Sequence, residues 1–160
     1  MKIILVAVAA TILFSAPALR APACDAADND DLCAIAAETL ADNPPFETLR
    51  TERQADANAR AERHAARRVR ARTLLEAIAA PNWRDLYRAG YVIGYGQTRD
   101  ERLLAMAIAI RALSLAPDEP DVRFLVAMTV DSVTRNYAGA QLYGRQKYFQ
   151  FNPETGATEV

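Results

Sequence analysis

The sequence predicts an all-α domain of about five helices packed in antiparallel hairpins, with a short C-terminal β-hairpin. Apolar side chains recur three and four residues apart in several segments of the chain, as on one face of a helix. Stretches that contain Pro or Gly, such as "DNPP" and "APDEPD", separate these segments. The tail instead alternates polar and aromatic residues, which favours strands.

Length and charge limit the class of protein. The 160 residues are 51% hydrophobic and 24% charged, which suits one globular domain. The net charge of −1 gives no overall field that attracts nucleic acid, so no nucleic-acid partner is expected.

The first residues read as an export signal. Lys2 precedes an apolar run over residues 3–14, which is too short for a permanent membrane span but typical of a signal peptide. We expect residues 1–18 to be the signal peptide. Cleavage as late as residue 23 is less favoured, because it would place the charged Arg20 inside the region just before the cleavage site. Residues 24–160 then form a single helical domain, periplasmic or secreted, with no transmembrane segment after the signal is removed.

The two cysteines fit an oxidising compartment. Cys24 and Cys33 are nine positions apart and can close a small disulfide loop. A lipidated Cys24 is the weaker alternative. Lipoprotein signals usually have a Leu-like residue three positions before the cysteine, and Ala21-Pro22-Ala23 lacks it. No cysteine and histidine spacing indicates a metal site, and no cofactor is predicted.

The first half of the domain is predicted as two helices. Asp30 or Asp31 is expected to cap a helix that ends at "DNPP", and a long, mostly exposed helix lies within residues 46–80. Its arginines form either a solvated face or a surface for an anionic envelope component. They are Arg60, Arg63, Arg67, Arg68, Arg70 and Arg72. We expect His64, among these arginines, to lie at the surface without a chemical role.

An aromatic ridge marks the next helix. Four aromatic residues recur every four positions, so they line one helical face: Trp83, Tyr87, Tyr91 and Tyr95. The ridge either binds a sugar ring or packs in the core.

A helical hairpin follows. Thr98 and Glu101 form a capping box for a helix expected to be central, and Pro120 opens a helix that ends near Gly139. Its corner resembles a tetratricopeptide unit, but a solenoid needs about three such units. In the tail, Asn152-Pro153 and Gly156 are expected to form the turn of the β-hairpin.

Motifs across residues 56–150 resemble an uncharacterised bacterial family, a domain of unknown function whose members often carry a signal peptide. The matching positions are Asp85, Ala89, Gly96, Thr98, Asp131, Gln141, Tyr143, Gly144 and Gln146, with "QLYGRQ" the strongest motif. The chain departs from the family pattern where Gly94-Tyr95 replaces Gln-His and where Met106 replaces a common histidine. It departs again at Asp131-Ser132 and Arg145, in place of Asp-Arg and Thr.

Few residues in this pattern point to catalysis. Asp131 is a candidate base, and Gln141 or Gln146 could polarise a carbonyl, but no nucleophile and base pair accompanies them. The structural alternative is that these residues, with Tyr143, hold the corner after the last helix.

We therefore predict an exported binding or scaffolding module of the bacterial envelope, with an envelope protein or polymer as its partner. The alternatives are a hydrolase-like enzyme on an envelope polymer or a small carbonyl substrate, and a degenerate member of such a family that has lost its activity.

Overall fold

The computed structural model describes residues 24–43, 53–144, 150–151 and 158–159. The described part contains five helices, which confirms the predicted all-α class. They are α1 (Asp30–Ala41), α2 (Gln54–Ala77), α3 (Trp83–Ile93), α4 (Arg99–Leu115) and α5 (Pro120–Ala138). None of these helices is long and apolar enough to cross a membrane. The predicted signal peptide and the two prolines of the "DNPP" break lie outside the described residues.

The predicted C-terminal β-hairpin is not supported. Two strands of two residues each, β1 (Gln150–Phe151) and β2 (Thr158–Glu159), lie antiparallel, with Gln150 opposite Glu159. Two residues a strand do not make a stable hairpin by themselves, because they bury almost no side-chain surface. The predicted turn at Asn152-Pro153 and Gly156 lies outside the described residues.

The central helix is α3 rather than the predicted α4. Helix α3 contacts the other four helices, and every residue from Asp85 to Ile93 is buried. In α4, by contrast, Ile110 and Leu115 are exposed. The larger number of apolar residues in α4 led to the prediction that α4 is central. Helix α3 is central instead, because two of its charged residues are also buried, each with a partner. Arg88 pairs with Asp28 at 2.9 Å, and Asp85 accepts a hydrogen bond from the Asn29 amide at 2.9 Å.

The helix ends follow the capping residues of the sequence. The Thr98 and Glu101 capping box is confirmed, as are Pro120 at the start of α5 and Gly139, whose positive φ of 67° ends α5. The cap of α1 lies earlier than predicted, at Asn29 rather than Asp30 or Asp31. Its side chain accepts a hydrogen bond from the Leu32 amide, which frees the acidic residues to occupy the first turn.

The arginines of α2 attach this helix to its neighbours. Arg63 and Arg67 both pair with Asp42 at the end of α1, and Arg68 pairs with Glu101 of α4. Because α2 has few large apolar side chains, these ion pairs hold it against its neighbours. The predicted solvated face is therefore in part an interface within the protein.

The expectation for His64 is wrong, because its side chain is buried and only 5% exposed. The ring stacks on Tyr95 with 4.9 Å between the ring centroids and an 8° angle between the planes. Spacing within α2 could not indicate this position, since the covering ring, Tyr95, comes from the turn after α3.

The segment before α1 is tied to α3. Cys24 and Cys33 lie at disulfide distance, with their Cα atoms 6.1 Å apart. Arg84 of α3 pairs with Asp25 at 2.9 Å, and the Asn82 side chain donates to the Ala27 carbonyl. The loop that the two cysteines can close is thus part of the packed structure.

Candidate functional site

A cavity of about 290 Å³ lies where the end of α3 meets α4 and α5. It is lined by Gly94, Tyr95, Gly96, Gln97, Arg102, Met128, Thr129, Ser132 and Arg135. Its lining thus includes two arginines, three hydroxyl-bearing residues and an apolar methionine. This mixture is typical of a site for a small polar ligand, and the volume is close to the lower end of the usual range of ~300–1,000 Å³.

The short turn after α3 forms one wall. Gly94 caps α3 through its amide, which donates to the Gly90 carbonyl, and the Gly96 amide donates to the Ile93 carbonyl at 2.8 Å. A Cβ atom at position 96 would lie 2.3 Å from the Cβ of Glu101. Only glycine therefore allows the chain to pass this close to the first turn of α4.

Arg102 carries positive charge to the cavity. Its Nε donates to the Gly96 carbonyl at 3.2 Å, which anchors the guanidinium against the turn. The side chain is half-buried, and within the described part of the chain it takes part in no ion pair. Among the described residues, Arg63, Arg67 and Arg68 pair with carboxylates, whereas Arg102 forms no ion pair there and lies beside a cavity.

Helix α5 supplies the opposite wall through residues spaced three and four apart. Thr129 is buried, and its hydroxyl donates to the Leu125 carbonyl at 2.9 Å, so it is held in one orientation. Ser132 and Arg135 follow on the same face of the helix. The wall is therefore built on a regular element, which positions side chains more precisely than a loop does.

Asp131, the candidate base, does not line this cavity. Its side chain is fully buried, and Oδ1 accepts a hydrogen bond from the Tyr143 amide at 2.7 Å. That bond holds the segment after Gly139 against the end of α5. Asp131 therefore fits the structural alternative, in which it holds the turn after the last helix.

Of the other two catalytic candidates, only Gln141 lies within the described residues. Gln141 is half-buried and makes contacts of its own, and Gln146 lies outside the described residues. Tyr143, a binding candidate, is 58% exposed and contributes its backbone amide rather than its ring to the contact with Asp131.

The aromatic ridge is mostly covered by protein. Tyr87 and Tyr91 are buried, and burial raises the pKa of both hydroxyl groups. Trp83 is half-buried with the Arg84 guanidinium 4.6 Å from its ring. Tyr95 alone among these residues lines the cavity, so the ridge does not offer a continuous surface for a sugar.

Sequence reasoning missed Arg102, Thr129, Ser132 and Arg135. The spacing of the three α5 residues was a usable signal, because a polar stripe beside the apolar face of a helix can mark a cavity wall. Arg102 carried no signal of its own. The position of Arg102 depends on its hydrogen bond to the Gly96 carbonyl, a contact that exists only in the folded chain.

No protein family, curated protein or solved structure matches this chain. Among the described residues, no three His, Cys, Asp or Glu side chains are grouped so that they could hold a metal ion.

Proposed function

We propose that this protein is an exported, α-helical binding module of the bacterial envelope that takes a small anionic ligand in the cavity between α3, α4 and α5. The observation that carries the proposal is Arg102, whose half-buried guanidinium lines the cavity without an ion pair among the described residues. A guanidinium in that position favours a carboxylate or phosphate, which can accept two parallel hydrogen bonds from it.

The rest of the lining supports the same ligand class. Arg135 brings a second positive charge to the cavity, while Ser132 and Gln97 offer neutral hydrogen-bonding groups. Met128 provides an apolar contact for the carbon skeleton of an organic anion. A small dicarboxylate or a carboxylate-bearing end of an envelope polymer has this combination of charge and carbon.

The cysteine pair supports export. Cys24 and Cys33 are placed to form a disulfide, a bond that persists in oxidising compartments and is rare in the cytosol. The same placement favours a disulfide over lipidation of Cys24, because one sulfur cannot carry both. The signal peptide over residues 1–18 and the likeness to the exported bacterial family remain predictions.

Binding is better supported than catalysis. Asp131, the residue on which the enzymatic alternative depends, is buried and its carboxylate is bound by a backbone amide. A general base must instead reach a proton of the substrate. The degenerate-family alternative would keep the fold and the cavity, so it predicts binding without turnover.

Isothermal titration of the mature protein with succinate tests the proposal. We expect a Kd of about 0.1–1 mM, as is typical of a ligand with few heavy atoms. The neutral isostere succinamide should bind much more weakly. Arg102→Gln should weaken succinate binding about tenfold, the effect of losing a charge-assisted hydrogen bond.

Arg111→Gln is the matched control. Arg111 lies on the same helix, is exposed and contacts Ser114, away from the cavity. Its substitution should leave the succinate Kd unchanged. Equal binding of succinate and succinamide, or equal binding by wild type and Arg102→Gln, would contradict the proposal.

A further inference from the structure

A second cavity of about 150 Å³ lies beside the first and is lined by Arg60, Ala61, His64, Arg68, Tyr95 and Gln97. An apolar cavity of about this size, engineered into another protein, is large enough to hold benzene. The space beside His64 is therefore adequate for one small ring or a short chain.

His64 is the unusual group in this lining. His64 is only 5% exposed, yet neither ring nitrogen has a hydrogen-bond partner among the described residues. Buried polar atoms in folded proteins nearly always have a partner, so each exception requires an explanation. A ligand that fills the adjacent cavity supplies one.

The ring of His64 is held in place. Tyr95 stacks on it, and the Tyr95 hydroxyl is bound by Tyr91 at 3.1 Å and by the side-chain amide of Asn43. These contacts fix the plane of the imidazole before any ligand binds. A fixed imidazole presents an N–H donor at little further entropic cost.

The charges around the cavity favour an anion. Burial is the main cause that lowers the pKa of His64, and the nearby Arg67, Arg60 and Arg68 lower it further against the opposing charge of Asp42. The ring is thus neutral at neutral pH, and the arginines Arg60 and Arg68 lie with it in the lining of the cavity. Arg68 also binds Glu101 at 2.8 Å, so this guanidinium is held at the edge of the cavity.

We infer that this second cavity is a binding site for a small carboxylate, with an N–H of the His64 ring as its donor and the positive charges of Arg60 and Arg68 in its lining. Tyr95 and Gln97 separate this site from the larger cavity, since both residues line both spaces. The inference does not require the larger cavity to be occupied, because it depends on His64 and the α2 arginines alone.

Nuclear magnetic resonance of the His64 ring tests this inference. His64 is the only histidine in the chain, so the imidazole signals need no assignment by mutation if the purification tag contains no histidine. Titration with benzoate should shift these signals in a saturable way, with a Kd of about 1 mM. Benzamide, which has the same shape without the charge, should shift them little.

Two arginine substitutions on α2 locate the site. Arg60→Gln should weaken benzoate binding about tenfold, as expected when one charge-assisted hydrogen bond is lost. Arg72→Gln, at an exposed position of the same helix, should leave the Kd unchanged.

Three results would overturn the inference. The first is the absence of a saturable shift of the His64 signals with benzoate, and the second is an equal shift with benzamide. The third is loss of the shift in Arg102→Gln together with full retention in Arg60→Gln, which would place benzoate in the larger cavity. That third result leaves the proposed function standing, so the two proposals fail separately.

Discussion

At the scale of single residues, the buried pair of Arg88 and Asp28 explains how a charged residue occupies the middle of the core. Both side chains are 0% exposed, and the two charged groups are 2.9 Å apart. Burial alone would raise the pKa of Asp28, but the hydrogen bond from Arg88 and the backbone contact with Asp25 keep it below its ordinary value of 3.8. The pair therefore joins the segment before α1 to the central helix as two ions.

Removal of one member of that pair should be costly. Asp28→Ala leaves the Arg88 charge buried without its counter-ion, so we expect a loss of about 3–5 kcal/mol in the free energy of unfolding. Urea unfolding of the purified protein measures it. In Asp118→Ala, the matched change at an exposed pair with Arg123, the loss should stay below about 1 kcal/mol. Similar losses in the two variants would show that the Asp28 pair does not stabilise the fold as described.

Asp131 is predicted to be structural rather than catalytic. Asp131→Ala removes the acceptor of the Tyr143 amide, so the free energy of unfolding should fall by about 1–3 kcal/mol. The succinate Kd should stay within about twofold of wild type, because Asp131 does not line the cavity. Calorimetric titration beside urea unfolding separates the two effects. Unchanged stability with lost binding would instead assign Asp131 to a ligand site.

At the scale of elements, the turn from α3 to α4 connects the fold to the candidate site. It places the Gly96 carbonyl against Arg102 and brings the Thr98 cap to Glu101. Two helices and the wall of the cavity thus depend on one closely packed glycine.

Gly96→Ala should disturb both the fold and the site. The added Cβ would lie 2.3 Å from Glu101 Cβ and 3.0 Å from the Ile93 carbonyl, so the turn must shift. We expect a loss of about 1–3 kcal/mol in the free energy of unfolding and weaker succinate binding. Gly139→Ala is the control, since a Cβ there meets nothing within 4 Å. It should cost about 1–2 kcal/mol through its left-handed φ and leave the Kd unchanged. An unaltered succinate Kd in Gly96→Ala would contradict the role assigned to this turn.

The sequence predicts local elements of this fold better than the contacts between them. The capping box at Thr98, Pro120 and Gly139 each act on residues within one turn, and all three are confirmed. The central place of α3 depends on Arg88, whose partner lies 60 positions away, so no local pattern indicates it. The burial of His64 has the same origin, since Tyr95 stacks on it from the turn after α3.

The candidate site could be predicted only in part. Tyr95 and Gly96 stood out in the sequence through the aromatic spacing and the family-like motif, and both line the larger cavity. Arg102 and Arg135 did not stand out among the chain's many arginines, because sequence spacing does not show which side chains line a cavity after folding. The packing of α3, α4 and α5 decides that.

At the scale of the whole molecule, ion pairs between helices make stability depend on pH. Burial alone would raise the pKa of Glu101, but hydrogen bonds from Thr98 and Arg68 lower it from 4.5 to about 2. Hydrogen bonds from Arg63 and Arg67 likewise hold the pKa of Asp42 well below its usual range. These two carboxylates fix α2 to α4 and to α1, so acid should loosen the attachment of α2.

The predicted effect of acid follows from the lowered pKa of Glu101. Stabilisation by this group is complete above its unfolded pKa near 4.5 and is lost as the pH falls towards its folded pKa of about 2. Glu101→Gln should therefore be less stable than wild type at neutral pH, by on the order of 2 kcal/mol. The difference in stability between wild type and Glu101→Gln should become smaller as the pH falls from about 5 to about 2. Thermal unfolding of both proteins across that range measures this difference. A difference that stays constant with pH would exclude ionisation of Glu101 as its cause.

Mapping of backbone amide shifts during a succinate titration shows whether a small anion binds between α3, α4 and α5. We expect saturable shifts in residues 94–97 and 128–135, the segments that supply most of the cavity lining. Shifts spread over the exposed arginines without saturation, or no shifts at the cavity, would contradict this expectation.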